Sequence, residues 1–85
     1  MLKAEVQSKA ETAFVMINCE AGQEANVIEQ IRAISGVKEA FRTNGQHDIL
    51  SSVEASSVES LREIIDQRIR KTPHVRSTTT LIKSY

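Results

Sequence analysis

The sequence predicts an α+β fold of the ferredoxin-like βαββαβ kind, an antiparallel four-stranded sheet with two helices on one face. Three observations carry that expectation. Apolar residues switch between strand-like and helix-like spacing in the order strand, helix, strand, strand, helix, strand. Asn44-Gly45 falls between the two middle strands, where a tight hairpin turn needs positive φ angles. At 85 residues the chain is long enough for one domain and too short for two.

Each element has its own justification. Residues 12–19, TAFVMINC, are apolar on both parities, with Phe14 and Met16 on one face and Val15 and Ile17 on the other. That pattern reads as a strand buried on both faces. Residues 23–35 set Val27, Ile28, Ile31 and Ile34 at spacings of three and four, the mark of an amphipathic helix. Gly36 then supplies a helix-ending residue with positive φ. Residues 37–43 alternate Val37, Glu39 and Phe41 against Lys38, Ala40 and Arg42, which fits an edge strand, and 47–54 is the returning strand. Ser56 with Glu59 three residues on forms a capping-box pattern. The helix behind it aligns Val58, Leu61, Ile65 and Ile69, with Ile64 beside them, and Thr72-Pro73 stops it. His74 to Lys83 is the last strand, with Val75, Leu81 and Ile82. Residues 1–11 are polar without a clear period and read as a tail or an extra strand; the domain proper is 12–85.

Right-handed crossovers put both helices on the same face of the sheet and leave the other face open. Apolar side chains on an open face make a sticky patch on so small a domain. A second copy covering it is the economical solution, so a homo-oligomer is expected on physical grounds alone.

Composition excludes several classes. Eleven Lys plus Arg balance eleven Asp plus Glu, so no bulk field draws the chain to a phosphate backbone, and direct nucleic-acid binding is not expected. The longest wholly apolar run, Ala13 to Ile17, is far below the ~18–20 residues of a membrane span. The N-terminus lacks the apolar block of a signal peptide. Cys19 is the only cysteine, so there is no internal disulfide and no paired zinc spacing. A cytoplasmic protein is the expectation. Charge is uneven: residues 61–85 hold six basic groups against two acidic ones, while residues 1–60 hold five against nine. Arg68, Arg70 and Lys71 close a helix, where cations favour the negative dipole end by about 0.3–1 kcal/mol each.

Few residues suggest chemistry. His47-Asp48 is the only tight pair of catalytic types, but neighbours in a strand point to opposite faces and do not act as a unit. Asp48, at the start of a central strand, is costly to bury without a partner; a bound ammonium group or a nearby arginine would supply one. Cys19 and His74 add no metal-ligand spacing to this pair, and Cys19 reads as a small apolar side chain at a strand end. Thr78 and Thr80 share one face of the last strand and Ser77 and Thr79 the other. They reflect strand propensity or line a polar pocket. The three glycines form no phosphate cradle, and the strand at 47–54 has no aromatic on which a base could stack. No cofactor is implied.

Taken in order, AFVMINCEAGQE, ISGVKEAFRTNGQHDIL and RKTPHVRSTTTLI resemble the ligand-sensing domain of the leucine-responsive regulatory protein/AsnC (Lrp/AsnC) family of transcription regulators, over about residues 12–85. The most specific piece is Thr43-Asn44-Gly45-Gln46-His47-Asp48; family members have Thr or Ser before the glycine, then a variable residue, an aromatic or His, and Asp. The second piece is Pro73 and Val75 followed by Thr78 and Thr80. The resemblance implies a non-enzymatic sensor that dimerises through its sheet faces and gathers dimers into rings, with amino-acid effectors bound between them. It implies a ligand-binding set of Thr43, Gly45, His47, Asp48, Thr78 and Thr80. In it Gly45 offers backbone groups, Asp48 meets the ammonium, the two threonines line the pocket, and His47 holds the aromatic position. Asn44 departs from the Thr or Ser that family members have before the glycine. Such proteins usually carry a helix-turn-helix domain, which eleven preceding residues cannot hold. The chain therefore resembles a stand-alone sensing domain, able to co-assemble with full-length Lrp/AsnC-type regulators. A small dimeric α+β barrel enzyme using His47 or Asp48, an ACT domain and a purely structural oligomerisation module are the alternatives.

Overall fold

The computed structural model describes residues 10–83. The chain runs β1 (Glu11–Cys19), α1 (Glu24–Arg32), β2 (Val37–Arg42), β3 (Ile49–Ala55), α2 (Val58–Ile64, continued by a wider turn over Ile65–Ile69) and β4 (Val75–Lys83). The sheet order is β2-β3-β1-β4, antiparallel throughout, so the ferredoxin-like βαββαβ arrangement read from the sequence is the fold. The tail or extra strand read over residues 1–11 falls, for residues 1–9, outside the described residues, and Glu11 already belongs to β1.

The helices cover one face of this sheet. Ala13, Val15 and Ile17 of β1 and Ile49 and Val53 of β3 form a core with Val27 and Ile31 of α1 and Leu61, Ile65 and Ile69 behind β3. Ser51 is fully buried among them and donates its hydroxyl to the Val15 carbonyl at 3.3 Å, which removes most of the cost of a polar group there.

The opposite face is open. Cross-strand register puts Phe14 beside Leu81 and Ser52, and Met16 beside Leu50 and Thr79, with Phe41 opposite Leu50. Phe14 is 36% exposed, Phe41 41% and Leu81 61%. The reading of residues 12–19 as buried on both sides therefore holds on one side only within a single chain, because both crossovers pass over the same face.

Three boundaries differ from the sequence reading, each for a local reason. The first helix ends at Arg32 rather than 35: the amides of Ala33 and Ile34 bond three residues back, to Gln30 and Ile31. This tighter winding brings Gly36, at φ +98°, beside β3, where its carbonyl accepts the Glu54 amide at 2.8 Å. The N-cap of α2 is Ser57, not Ser56; its backbone is extended and its hydroxyl accepts the Ser60 amide at 3.1 Å. β3 runs on to Ala55, so the helix begins one residue later than a Ser56–Glu59 box requires. The hairpin is no two-residue turn either, since β2 stops at Arg42 and β3 starts at Ile49. The second helix does close before Pro73: Arg70 bonds five residues back to Ile65, and the Thr72 hydroxyl caps the Arg68 carbonyl at 2.8 Å.

Candidate functional site

The β2–β3 connection is built by the residues on which the sequence resemblance rests. Thr43 donates its amide to the Asp48 carbonyl at 3.0 Å and its hydroxyl to the His47 carbonyl at 2.7 Å, closing the base of the loop twice. Gly45, at φ +110°, stands exposed at the tip. Asp48 is half-buried, and its amide donates to the Ile17 carbonyl at 3.0 Å. Its Oδ2 accepts the amide of Cys19 at 2.9 Å. Among the described residues no lysine or arginine pairs with Asp48, so the partner that its burial calls for is a backbone N–H.

Cys19 is buried at the end of β1, and its thiol is pushed above the ordinary range. Burial is the main cause, followed by the negative charges of Asp48 and Glu24; the Arg42 guanidinium opposes them. A thiol held protonated this way is a poor nucleophile.

The six expected ligand residues are divided by the sheet. Thr43 and His47, with Asn44, Gln46, Met16 and Leu50, line a shallow, mainly apolar cavity of about 220 Å³ at the open face. The Nδ1 of His47 is buried and without a hydrogen-bond partner. Thr78 and Thr80 stand opposite Ile17 and Val15, hence on the helix side of edge strand β4. Ser77 and Thr79 face the other way, where the Ser77 hydroxyl accepts from Asn18 at 3.3 Å. Within one chain these residues do not form one pocket. His47 and Asp48 do not act as a unit either, since the carboxylate turns to Cys19. Among the described residues no three His, Cys, Asp or Glu side chains gather to hold a metal.

Two features escape sequence reasoning. A larger groove, about 590 Å³, lies between α1 and the outer edge of β2, with Ile28 and Phe41 in it and Arg32 and Arg42 along it. Arg32 donates its Nε to the Ala40 carbonyl at 3.0 Å, and Arg42 lies 4.0 Å from Glu24. Past the end of β1, Glu20 donates its amide to the His74 carbonyl at 2.9 Å and sets its carboxylate 3.3 Å from His74 Nδ1. His74 has φ +75°, the only non-glycine at positive φ among the described residues. A proline before it was the only signal in the sequence that the chain turns there.

A four-stranded antiparallel sheet with two helices on one face defines a small α+β domain of ferredoxin-like type, a class that its fold alone ties to no single function. The profile of the Lrp/AsnC ligand-binding domain matches residues 12–83, and the chain belongs to this family. A homocitrate synthase of Saccharolobus islandicus is 36% identical over 69 residues, 80% of this chain but 15% of that enzyme. An uncharacterized HTH-type transcriptional regulator of Pyrococcus furiosus is 34% identical over 74 residues, 84% of this chain and 49% of the regulator. The chain thus spans a small part of the synthases and about half of the regulator. Among solved structures, the hypothetical protein PHS023 of Pyrococcus horikoshii matches with a TM-score of 0.83 and 35% identity, over 88% of this chain and 90% of that one. The feast or famine regulatory protein of M. tuberculosis complexed with L-methionine matches with a TM-score of 0.72 and 27% identity, over 86% of this chain and 49% of that one. The likeness to the synthase takes in most of this chain but a small part of that enzyme, while the family and several structural relatives concern regulation. No helix among the described residues is long and apolar enough to cross a membrane.

Proposed function

We propose that this chain is a non-enzymatic sensing and oligomerisation module that binds an amino-acid effector between associated copies and serves transcription regulation. The observation that carries the reading is Asp48, a half-buried carboxylate at the hairpin base with one oxygen on a backbone amide and, among the described residues, no cation paired to it. An α-ammonium group is the natural complement of the second oxygen. The solved relative bound to L-methionine supports an amino acid as the effector class. A segment of this kind also matches both a DNA-binding type of regulator and a biosynthetic enzyme, which favours a detachable module over a catalyst. The split of Thr43 and His47 from Thr78 and Thr80 fits a pocket completed by a neighbouring subunit. Phe14, Phe41 and Leu81 on the open face favour a homodimer as its building unit, and dimers assemble further into rings. Full-length regulators of the same family are the partners such a module would join.

Light scattering coupled to size-exclusion chromatography, repeated with each of the twenty amino acids, tests this reading. A multiple of the dimer whose size or melting temperature shifts with particular amino acids is the expected result. A fixed dimer indifferent to all twenty would remove the sensor function, and a monomer would remove the covered sheet face as well.

A further inference from the structure

The β1–β4 ladder keeps one register from Thr12 opposite Lys83 to Asn18 opposite Ser77, then slips, so that Cys19 faces Val75 and Arg76 is the extra residue. On the other side of β1, toward β3, the Cys19 amide goes to the side chain of Asp48. The main chain of Asp48 is already committed in both directions, its amide to Ile17 and its carbonyl to Thr43. Only its carboxylate is free to respond to a ligand.

We propose that Asp48 is a positioning residue whose carboxylate anchors the β1–β4 corner through the Cys19 amide, so that an effector's ammonium taking that carboxylate is felt at the corner. The transmission half rests on the amino-acid reading above; the anchor does not. An ammonium on Oδ1 withdraws negative charge from Oδ2 and competes for the orientation of the group, which loosens the Cys19 contact. By linkage the coupling is reciprocal: a corner that releases Cys19 changes effector affinity by the same factor.

What lies beyond Cys19 makes the corner a sensitive place to receive that change. Glu20, the next residue, holds His74 by its amide and its carboxylate. His74 stays at φ +75°, a conformation that a non-glycine residue keeps only when its surroundings hold it. Val75 donates its amide to Thr72 at 3.2 Å, and the Thr72 hydroxyl caps the end of the second helix on Arg68. The hairpin base is thereby joined to the end of that helix through hydrogen bonds linked by the peptide bonds Cys19–Glu20 and His74–Val75, with one carboxylate at their head.

Two variants and the wild-type chain test this by amide NMR. In the wild type, the Cys19 amide proton is expected to move as carboxylates are protonated on lowering the pH, and Asp48→Asn should abolish that movement. A Cys19 amide blind to this titration, or one that titrates equally in Asp48→Asn, overturns the anchor without any need for a destabilised variant. In Asp48→Ala, hydrogen exchange at Cys19 should quicken by about tenfold or more while Ile49–Val53 stay protected; unchanged Cys19 exchange also overturns it. Asp48→Asn retains an acceptor for Cys19 and should keep that protection while losing the thermal shift with amino acids. If Asp48→Asn still responds to the same amino acid, the ammonium reading of Asp48 fails and transmission with it, while the anchor stands. If the wild type binds an amino acid and the Cys19 and His74 amides do not move, transmission alone is refuted.

Discussion

Replacing Leu81 with serine is expected to dissociate the assembly while leaving the subunit folded. Leu81 is the most exposed of the three large apolar residues of the open face, at 61%, so folding of one chain draws little on it. Burying a whole leucine is worth about 1.5–3 kcal/mol, so the part still exposed offers roughly 1–2 kcal/mol to an interface. A twofold axis uses the residue twice, which raises the loss to about 2–4 kcal/mol per dimer. At 1.4 kcal/mol per decade this weakens the dimer roughly 30- to 700-fold. Sedimentation equilibrium over a concentration series measures the constant, circular dichroism checks that the subunit is intact, and Ala25→Ser on the exposed side of α1 serves as the control. A Leu81→Ser dissociation constant within about threefold of wild type, with the fold unchanged, would refute the open sheet face as the interface.

Two further predictions concern the fold around the site. Gly36→Ala should cost about 2–4 kcal/mol in urea denaturation, because its Cβ would lie 3.1 Å from the Glu54 carbonyl and 2.8 Å from Ile64 Cδ1 at φ +98°. The isoleucine tip can give way but the backbone cannot; Gly45→Ala, at φ +110° with open space around it, should cost only the conformational strain, about 1–2 kcal/mol, and equal losses at both positions would contradict this. Cys19, whose thiol is pushed up by burial first and then by Asp48 and Glu24, favours the folded state while the unfolded thiol is still protonated. As pH rises past about 8.5 the unfolded thiol ionises first, so the stability of the wild type relative to Cys19→Ser should fall in that window; a constant or growing difference would refute the cause assigned.

What the sequence revealed and what it hid divide by range along the chain. The succession of strands and helices, the apolar faces of both helices, the turn at Gly36 and the stop at Pro73 are decided by side-chain period and local backbone preference, and these are printed in consecutive residues. The choice of Ser57 over Ser56 depends on where β3 stops, which in turn depends on pairing with β1. The same holds for the hairpin: Asn44-Gly45 announces a turn, but Thr43 and Asp48 set its length by closing on each other. The Asp48–Cys19 bond spans 29 residues and depends on β1 lying beside β3, which no local pattern encodes. The six candidate ligand residues could be picked out along the sequence, whereas their division between the two faces of the sheet could not, since that requires knowing which strand lies beside β1.

The two edges of the sheet are unequal, and this bears on where association can occur. β2 is short, bulged between Val37 and Glu39, and carries the cations Lys38 and Arg42. Its Ala40 carbonyl is already taken by Arg32. Charges, a bulge and a capped carbonyl are the means by which proteins keep an edge from pairing. β4 is nine residues long, rich in threonine, and presents Leu81 without a carboxylate anywhere along it. It too has a bulge, at Arg76, and cations at Arg76 and Lys83, but these lie near its ends and leave Ser77–Ile82 without such devices. Association steered away from β2 would therefore gather on the open face toward β4. Thr78 and Thr80 stand on that same strand but on its helix side, so a subunit seated on the open face would meet Thr43 and His47 rather than these two threonines.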